Sequence, residues 1–287
     1  MKGILITNRY YLDEGMKYLA GRLIQSAKDR GVTLTHSVCP LVSSLSVRPM
    51  DADFVIFWDK DAVAARVIEN MGIPTFNSSE TIRICDSKTL TYLALCGLDC
   101  LIPTVFSPVC FPVSSNEDDE LILEVEKLGY PLIIKESTGS LGMQVYLINN
   151  RAELIYKSRA LRHTAHQYQK YVGDERGTDI RFYVAGGAVV GACKRINTTS
   201  FTSNLAMGGK IELYSPTEQE KELALEVAKR LNLSFGSVDF IKDNGKSYFV
   251  EANSNAYFKG IESLGVDVAG QYVDSIIKTV KNNASKN

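Results

Sequence analysis

Two strand-like runs, Ser237-Val238-Asp239-Phe240-Ile241-Lys242 and Ser247-Tyr248-Phe249-Val250-Glu251-Ala252-Asn253, flank Asp243-Asn244-Gly245. An Asn-Gly pair between two such runs predicts a tight antiparallel hairpin. Residues two apart in a strand share a face and lie about 7 Å apart, so Glu251 and Asn253 point one way while Tyr248, Val250 and Ala252 point the other. The turn decides where Asp239 goes. A two-residue Asn244-Gly245 loop sets Asp239 opposite Val250, on the face away from Glu251. A three-residue loop with Gly245 as a left-handed bulge residue sets it opposite Phe249, and Asp239, Glu251 and Asn253 then share one side. Two carboxylates and a carboxamide on one face repel unless a cation sits between them, and such hard oxygens suit Mg²⁺ that also touches phosphates. A solvated acidic sheet surface is the other reading of the same pattern.

The opposite end of the chain has a different rhythm. Gly3-Ile4-Leu5-Ile6 reads as a buried strand, and Gly15 to Arg30 places Met16, Leu19, Leu23 and Ala27 at helical spacing. Phe54-Val55-Ile56-Phe57-Trp58 is a second apolar strand, followed by a helix over Ala62–Asn70. Strands alternating with helices predict an α/β lobe with a small parallel sheet. No GxGxxG or GxxxxGK[ST] follows these strands, so neither Rossmann nor P-loop nucleotide binding is supported in this half. Residues 77–100 read as helical, and Pro103, Pro108 and Pro112 then break the chain. The strand Tyr130 to Lys135, with Ile133 and Lys135 on one face, leads into Ser137-Thr138-Gly139-Ser140-Leu141-Gly142, a small-residue loop whose amides can approach phosphate oxygens. Gly186-Gly187 joins Asp179–Val184 to Ala188–Ala192 as a hairpin, and helices are expected over 218–231 and 269–280.

Composition narrows the function classes. The 287 residues carry 32 Lys plus Arg against 33 Asp plus Glu, so the basic excess of a backbone-reading nucleic-acid binder is absent. The six cysteines form no CxxC pair, which argues against zinc and thioredoxin-like chemistry and for reduced thiols. The apolar run at the start is too short for a signal segment, and no window approaches the ~18 apolar residues of a membrane span, so a cytoplasmic protein is expected.

Taken in order, several stretches resemble the ATP-grasp superfamily, its RimK-type ligases and within them the LysX branch. They are Cys85-Asp86-Ser87-Lys88 with Thr91 and Leu93; Tyr130 to Lys135 with the Gly139–Gly142 loop; Gln169-Lys170-Tyr171-Val172; Gly177 to Arg181; Lys194-Arg195; Ser203-Asn204 through Gly208-Gly209; Val238-Asp239-Phe240; Glu251-Ala252-Asn253 through Phe258-Lys259; and Gly265 to Gly270. The resemblance covers about residues 72 to 277. It implies an ATP-grasp fold with an N-terminal Rossmann-like lobe (1–84), a central subdomain with the glycine loop (85–168) and a C-terminal subdomain with the metal site (169–287). Lys88 and Lys135 would reach ATP phosphates, and Gly139, Ser140 and Gly142 would close over them. Gln169, Lys170, Tyr171 and Val172 would read the adenine edge, while Asp179 would lie near the ribose and Asn204 in the nucleotide site. Asp239, Glu251 and Asn253 would hold Mg²⁺ or Mn²⁺, and Arg181 and Arg195 would meet the transferring phosphoryl group and the acyl-phosphate. The implied activity is ATP-dependent joining of a carboxylate to an amine, on a small molecule, a peptide or a small acidic carrier protein, by a homo-oligomer such as a dimer or tetramer that uses neither nucleic acid nor membrane.

Two departures bear on substrate. Asn255-Ala256-Tyr257 stands where RimK-type chains have Pro-Gly, and Met207 stands where the LysX-like loop has Arg. The competing functions are a non-catalytic ATP-binding regulator and a phosphoryl-transferring member. Asp239→Asn and Glu251→Ala are both expected to abolish turnover with the fold intact.

Overall fold

The structure is a computed structural model that describes residues 1–10, 13–42, 50–110, 119–139, 142–197 and 209–285. Its first sheet is built from β1 (Lys2–Thr7), β2 (Thr33–Val38), β3 (Phe54–Trp58) and β4 (Thr75–Phe76), all parallel, in the order β2-β1-β3-β4. All five residues of β3 are buried, as an uninterrupted apolar run in a sheet covered on both sides requires. Helix α1 (Glu14–Asp29) starts where the Asp13 side chain accepts from the Met16 N–H at 2.7 Å, and it buries Met16, Leu19 and Leu23 against the sheet. Helix α2 (Ala62–Asn70) covers the other face through Ala64, Ala65 and Ile68.

The single helix expected over 77–100 is instead two, α3 (Ser79–Cys85) and α4 (Lys88–Ala94). The break falls at Ser87, whose hydroxyl accepts from the Leu90 N–H and caps α4, so Lys88 is the first residue of a helix. A four-stranded antiparallel sheet follows, ordered β5-β8-β6-β7, from β5 (Thr104–Phe106), β6 (Leu132–Glu136), β7 (Val145–Ile148) and β8 (His166–Lys170). Leu132, Ile134 and Tyr168 pack with Ile122 and Val125 of α5 (Asp119–Glu126) and Leu154 of α6 (Arg151–Leu161). Alternation then turns Ile133 and Lys135 to the opposite face, in register with Gln169 and Gln167.

The third sheet, β11-β10-β9-β12-β13, is antiparallel: β9 (Thr178–Ala185), β10 (Ala188–Ile196), β11 (Lys210–Leu213), β12 (Phe235–Asp243) and β13 (Lys246–Asn253). One face packs Phe182, Val238, Phe240, Phe249 and Ala252 against α7 (Glu218–Arg230). Leu95 and Cys100 join that core, so the 95–100 segment packs on this sheet. The other face meets the first sheet and α9 (Val268–Ala284), where Trp58 stacks on Phe235 at 5.1 Å and Tyr272 packs beside both. The short α8 (Lys259–Glu262) lies between them in sequence. Helix α3 runs across position 84/85 and β8 across 168/169.

The β12–β13 hairpin resolves the register by a route the turn alone does not suggest. Its loop has two residues, Asn244 (φ 50°) and Gly245 (φ 77°), with Asp243 opposite Lys246 and Phe240 opposite Phe249. Continued without interruption, that register would set Asp239 opposite Val250. The ladder instead shifts at Asp239/Phe240, and Asp239 pairs with Glu251 across a bulge at Val250. The expected common face of Tyr248, Val250 and Ala252 is thereby corrected. Phe249 and Ala252 enter the α7 core, whereas Tyr248 pairs with Ile241, a residue on the cavity side.

Candidate active site

A cavity of about 740 Å³ lies where the three sheets meet. From the third sheet it takes Asp179 and Arg181 (β9), Arg195 (β10), and Glu251 and Asn253 (β13). Register explains the convergence. Arg181 stands between Cys193 and Asp239, Asp239 stands next to Glu251, and Arg195 is opposite Asp179.

These charges are already paired with each other. Arg181 donates from Nε to Asp239 Oδ1 at 2.8 Å and from Nη2 to Oδ2 at 2.7 Å. Arg195 donates from Nη2 to Asp239 Oδ2 at 2.8 Å and from Nε to Asp179 Oδ1 at 2.7 Å, with a further bond to Asp179 Oδ2. Burial by itself would raise the Asp239 pKa, but the charges and hydrogen bonds of Arg181 and Arg195 outweigh it and hold the carboxyl below the usual range. The two forks expected to face a phosphoryl group therefore face carboxylates here, and Asp179, expected beside a ribose, is engaged by Arg195.

Glu251 is differently placed: among the described residues it makes no ion pair, and its negative charge acts on both Lys88 and Lys135. Lys135 is buried, and that burial, reinforced by the charge of Lys88 and opposed by Glu251, brings its pKa down to about 8. Burial likewise lowers Lys88. The two lysines are brought close because the Lys88 N–H, at the start of α4, donates to the Ser137 carbonyl at 2.8 Å. Gln169, Lys170, Tyr171 and Val172 line the same cavity. Gln169 Nε2 donates to Thr104 Oγ1 at 2.9 Å, whereas the buried Oε1 atoms of Gln167 and Gln169 have no partner among the described residues. Gly142 lines the cavity and Gly139 an adjoining recess with Cys85 and Tyr92. A Cβ on Gly139, at φ 140°, would fall 2.4 Å from the Gln144 side chain. Ser140, Asn204 and Met207 lie outside the described residues.

The residues present supply part of a metal's donor set. Asp239 Oδ2 accepts two hydrogen bonds and Oδ1 only one, which leaves Oδ1 a lone pair. Glu251 brings two further oxygens and Asn253 a carbonyl oxygen; the Asn253 Nδ2 atom is buried without a partner among the described residues. Among the described residues no group of three His, Cys, Asp or Glu side chains stands ready to hold a metal. Such a set fits Mg²⁺, which fills its remaining positions with water and phosphate oxygens.

Sequence reading missed the contribution of the first lobe. Asn8 and Asp59, each directly after a parallel strand, line the cavity, as do Tyr257 and Lys259. The available signal was a polar residue closing an apolar strand, which has meaning only once strand order is known. No helix among the described residues is long and apolar enough to cross a membrane.

Comparison with known proteins agrees with this geometry. Residues 104–276 match the model of the RimK-like ATP-grasp domain. The chain is 32% identical over 229 residues to human N-acetylaspartylglutamate synthase A, covering 78% of this chain and 57% of that protein. It therefore spans little more than half the length of that relative. It is also 32% identical over 219 residues to the coenzyme γ-F420-2:α-L-glutamate ligase of Methanococcus maripaludis, covering 75% of this chain and 74% of the other. Among solved structures, the RimK domain ATP-grasp protein of Sphaerobacter thermophilus superposes with a TM-score of 0.72 at 21% identity, over 96% of this chain and all of that one. With three sheets around one cationic and carboxylate-lined cavity, and with these relatives, the chain belongs to the RimK-like ATP-grasp family.

Proposed function

We propose that the protein is an ATP- and Mg²⁺-dependent ligase that joins a carboxylate to an amine through an acyl-phosphate. One observation carries this reading: Lys88 and Lys135 line the same cavity as Glu251, Arg181 and Arg195 of the third sheet, with the buried Asp239 held between the two arginines. The names of the relatives, a synthase of N-acetylaspartylglutamate and an α-L-glutamate ligase, support amide formation. In this reading residues 1–84, 85–168 and 169–287 act as three lobes, with ATP between the second and third.

Lys135 and Lys88 bind phosphate oxygens as compact charges, and an arriving phosphate favours the protonated form of Lys135. Asp239, Glu251 and Asn253 would hold Mg²⁺, which supplies charge neutralisation at the phosphates. The substrate carboxylate oxygen attacks the γ-phosphorus, the bond to the bridging oxygen breaks, and ADP leaves. Arg195 and Arg181, whose Nε and Nη2 groups are held by Asp179 and Asp239, would stabilise the spreading charge by their proximity as fixed cations. An amine nitrogen then attacks the acyl carbon, phosphate departs, and the nitrogen gives up a proton. Gly139 at φ 140° and Gly142 at φ 73° would let the backbone approach the phosphates closely.

The test is ADP release and product mass with ATP, Mg²⁺ and a panel of amino acids, peptides and acidic carrier proteins. ADP that requires both a carboxylate and an amine, with a product lighter than the sum of its parts by one water, is the expected result. ADP without any amine would make the protein a phosphoryl-transfer enzyme, and no ADP with any pair would overturn the ligase reading.

A further inference from the structure

The order β2-β1-β3-β4 reverses direction between β1 and β3, and a parallel sheet with such a reversal opens a crevice at the carboxyl ends of those two strands. Asn8 follows β1 and Asp59 follows β3. The Asn8 Nδ2 group donates to Asp59 Oδ1 at 2.9 Å, and the Lys60 backbone N–H donates to the same oxygen at 2.7 Å. Neither bond goes to Oδ2. Asp59 is only 5% exposed, lines the cavity, and lies against the buried Cys39 thiol. No salt bridge reaches it among the described residues, and the side chain of its neighbour Lys60 is paired with Asp86. A carboxylate so enclosed, with neutral donors alone, is costly unless a cation arrives.

A second observation points the same way. Trp58, the residue before Asp59, also lines the cavity, and its buried indole N–H has no hydrogen-bond partner among the described residues. A ligand that carries both a cation and a hydrogen-bond-accepting oxygen would answer both groups. Tyr257, from the 255–257 departure, lines the same cavity, and its ring comes within 2.8 Å of where a Gly15 Cβ would stand, at the start of α1.

We propose that this crevice holds the ammonium group of a substrate amino acid or peptide, with Asp59 as its counter-ion and the Trp58 N–H donating to an oxygen of the same molecule. The inference rests on the ligase reading and sharpens its substrate class. An ammonium beside a buried carboxylate keeps its proton, and a protonated amine has no lone pair with which to attack an acyl carbon. The group held at Asp59 is therefore a recognition group and not the nucleophile. The substrate bears an ammonium that survives the reaction, separate from the carboxylate and the amine that are joined.

The experiment reads binding, not turnover. The full chain, loaded with Mg²⁺ and a non-hydrolysable ATP analogue, is titrated calorimetrically with L-amino acids and dipeptides and with the matching compounds that lack the α-amino group. The expected result is that at least one amino compound binds about 30-fold or more tighter than its deamino partner. Asp59→Asn, which keeps the Oδ1 acceptor for Asn8 and Lys60, should erase that preference while the affinity for the nucleotide analogue stays unchanged. Retained nucleotide affinity shows that the variant is folded; if Asp59→Asn fails to fold, Trp58→Phe serves instead and should weaken the same amino compounds. Equal binding of amino and deamino partners, an unchanged preference in Asp59→Asn, or no binding by any panel member each overturns the proposal. Preferential ammonium binding in a protein that releases no ADP would sink the ligase reading and leave this site standing.

Discussion

The first and third sheets both face the cavity, yet they contribute to it in opposite ways. The parallel sheet buries its central strand β3 on both faces and delivers its polar side chains to the cavity from strand ends, Asn8 after β1 and Asp59 after β3. The antiparallel sheet delivers them from mid-strand, because one face packs on α7 and the other carries Asp179, Arg181, Arg195, Glu251 and Asn253. Mid-strand charges are neighbours by register and must be neutralised as a set. The strand-end groups are joined only by a neutral hydrogen bond, Asn8 to Asp59, and can await a ligand. The consequence is that the same change, loss of a carboxylate, has structural cost in one region and mainly a functional cost in the other.

Asp239→Ala tests this contrast most severely. It leaves Arg181 and Arg195, with side chains 12% and 11% exposed, short of their shared carboxylate. A loss of about 3–5 kcal/mol is expected, read as a shift in denaturant midpoint. The expectation that Asp239→Asn leaves the fold intact is revised for the same reason: Asn can accept from one arginine but carries no charge for two. Glu251→Gln sits one strand away and should behave differently. With no ion pair to lose among the described residues, it should keep the wild-type midpoint while turnover falls by about 100-fold or more. A large stability loss in Glu251→Gln would show that the face is one structural unit throughout.

Lys135 offers an intermediate effect with a definite pH window. Its ordinary pKa of 10.5 falls to about 8 in the folded chain, chiefly through burial. Between those values the unfolded state binds more protons, so this group's destabilising contribution is full below pH 8 and fades as pH rises toward 10.5. Lys135→Met should therefore raise the melting temperature of the nucleotide-free protein at pH 7 by an amount equivalent to roughly 1–3 kcal/mol, and less at pH 10. Wild-type protein should take up a proton when MgATP binds near pH 9, seen as a buffer-dependent calorimetric heat that Lys135→Met lacks. The smallest effect belongs to the strand ends. Asn8→Ala removes one hydrogen bond to Asp59 and should cost about 1 kcal/mol of stability, far below the Asp239 variant. A cost as large as that of Asp239→Ala would erase the distinction between the two sheets.

What could be read from sequence follows the same division. The β6 face was legible because period-two alternation sets Ile133 and Lys135 together whatever they pack against. The parallel strand at 54–58 and helix α2 were legible from apolar content and spacing. The Arg181–Asp239 pair was not, since it depends on β9 lying beside β12, and strand order leaves no local trace; Arg195 does stand opposite Asp179 inside the Gly186-Gly187 hairpin, but the irregularity between Val189 and Gly191 hides that register from the sequence. The split between α3 and α4 was signalled only by Ser87, which reads equally as a helix residue or a cap. Asp59 was invisible as a site residue for the reason that makes it interesting: its setting is created by the crossing between β1 and β3, far apart in the chain.

The bulge at Val250 sets the parity of the hairpin. From Asn244-Gly245 to Asp239 and Glu251 the two strands differ in length by one residue, so the count on β13 is odd relative to β12. Facing is set by whether that difference, added to the loop, is even or odd. A hairpin that gained one loop residue and lost the bulge would aim the same two carboxylates at the same cavity. The tip of this hairpin can therefore vary in length without disturbing the cleft, provided each added residue is cancelled along the strand.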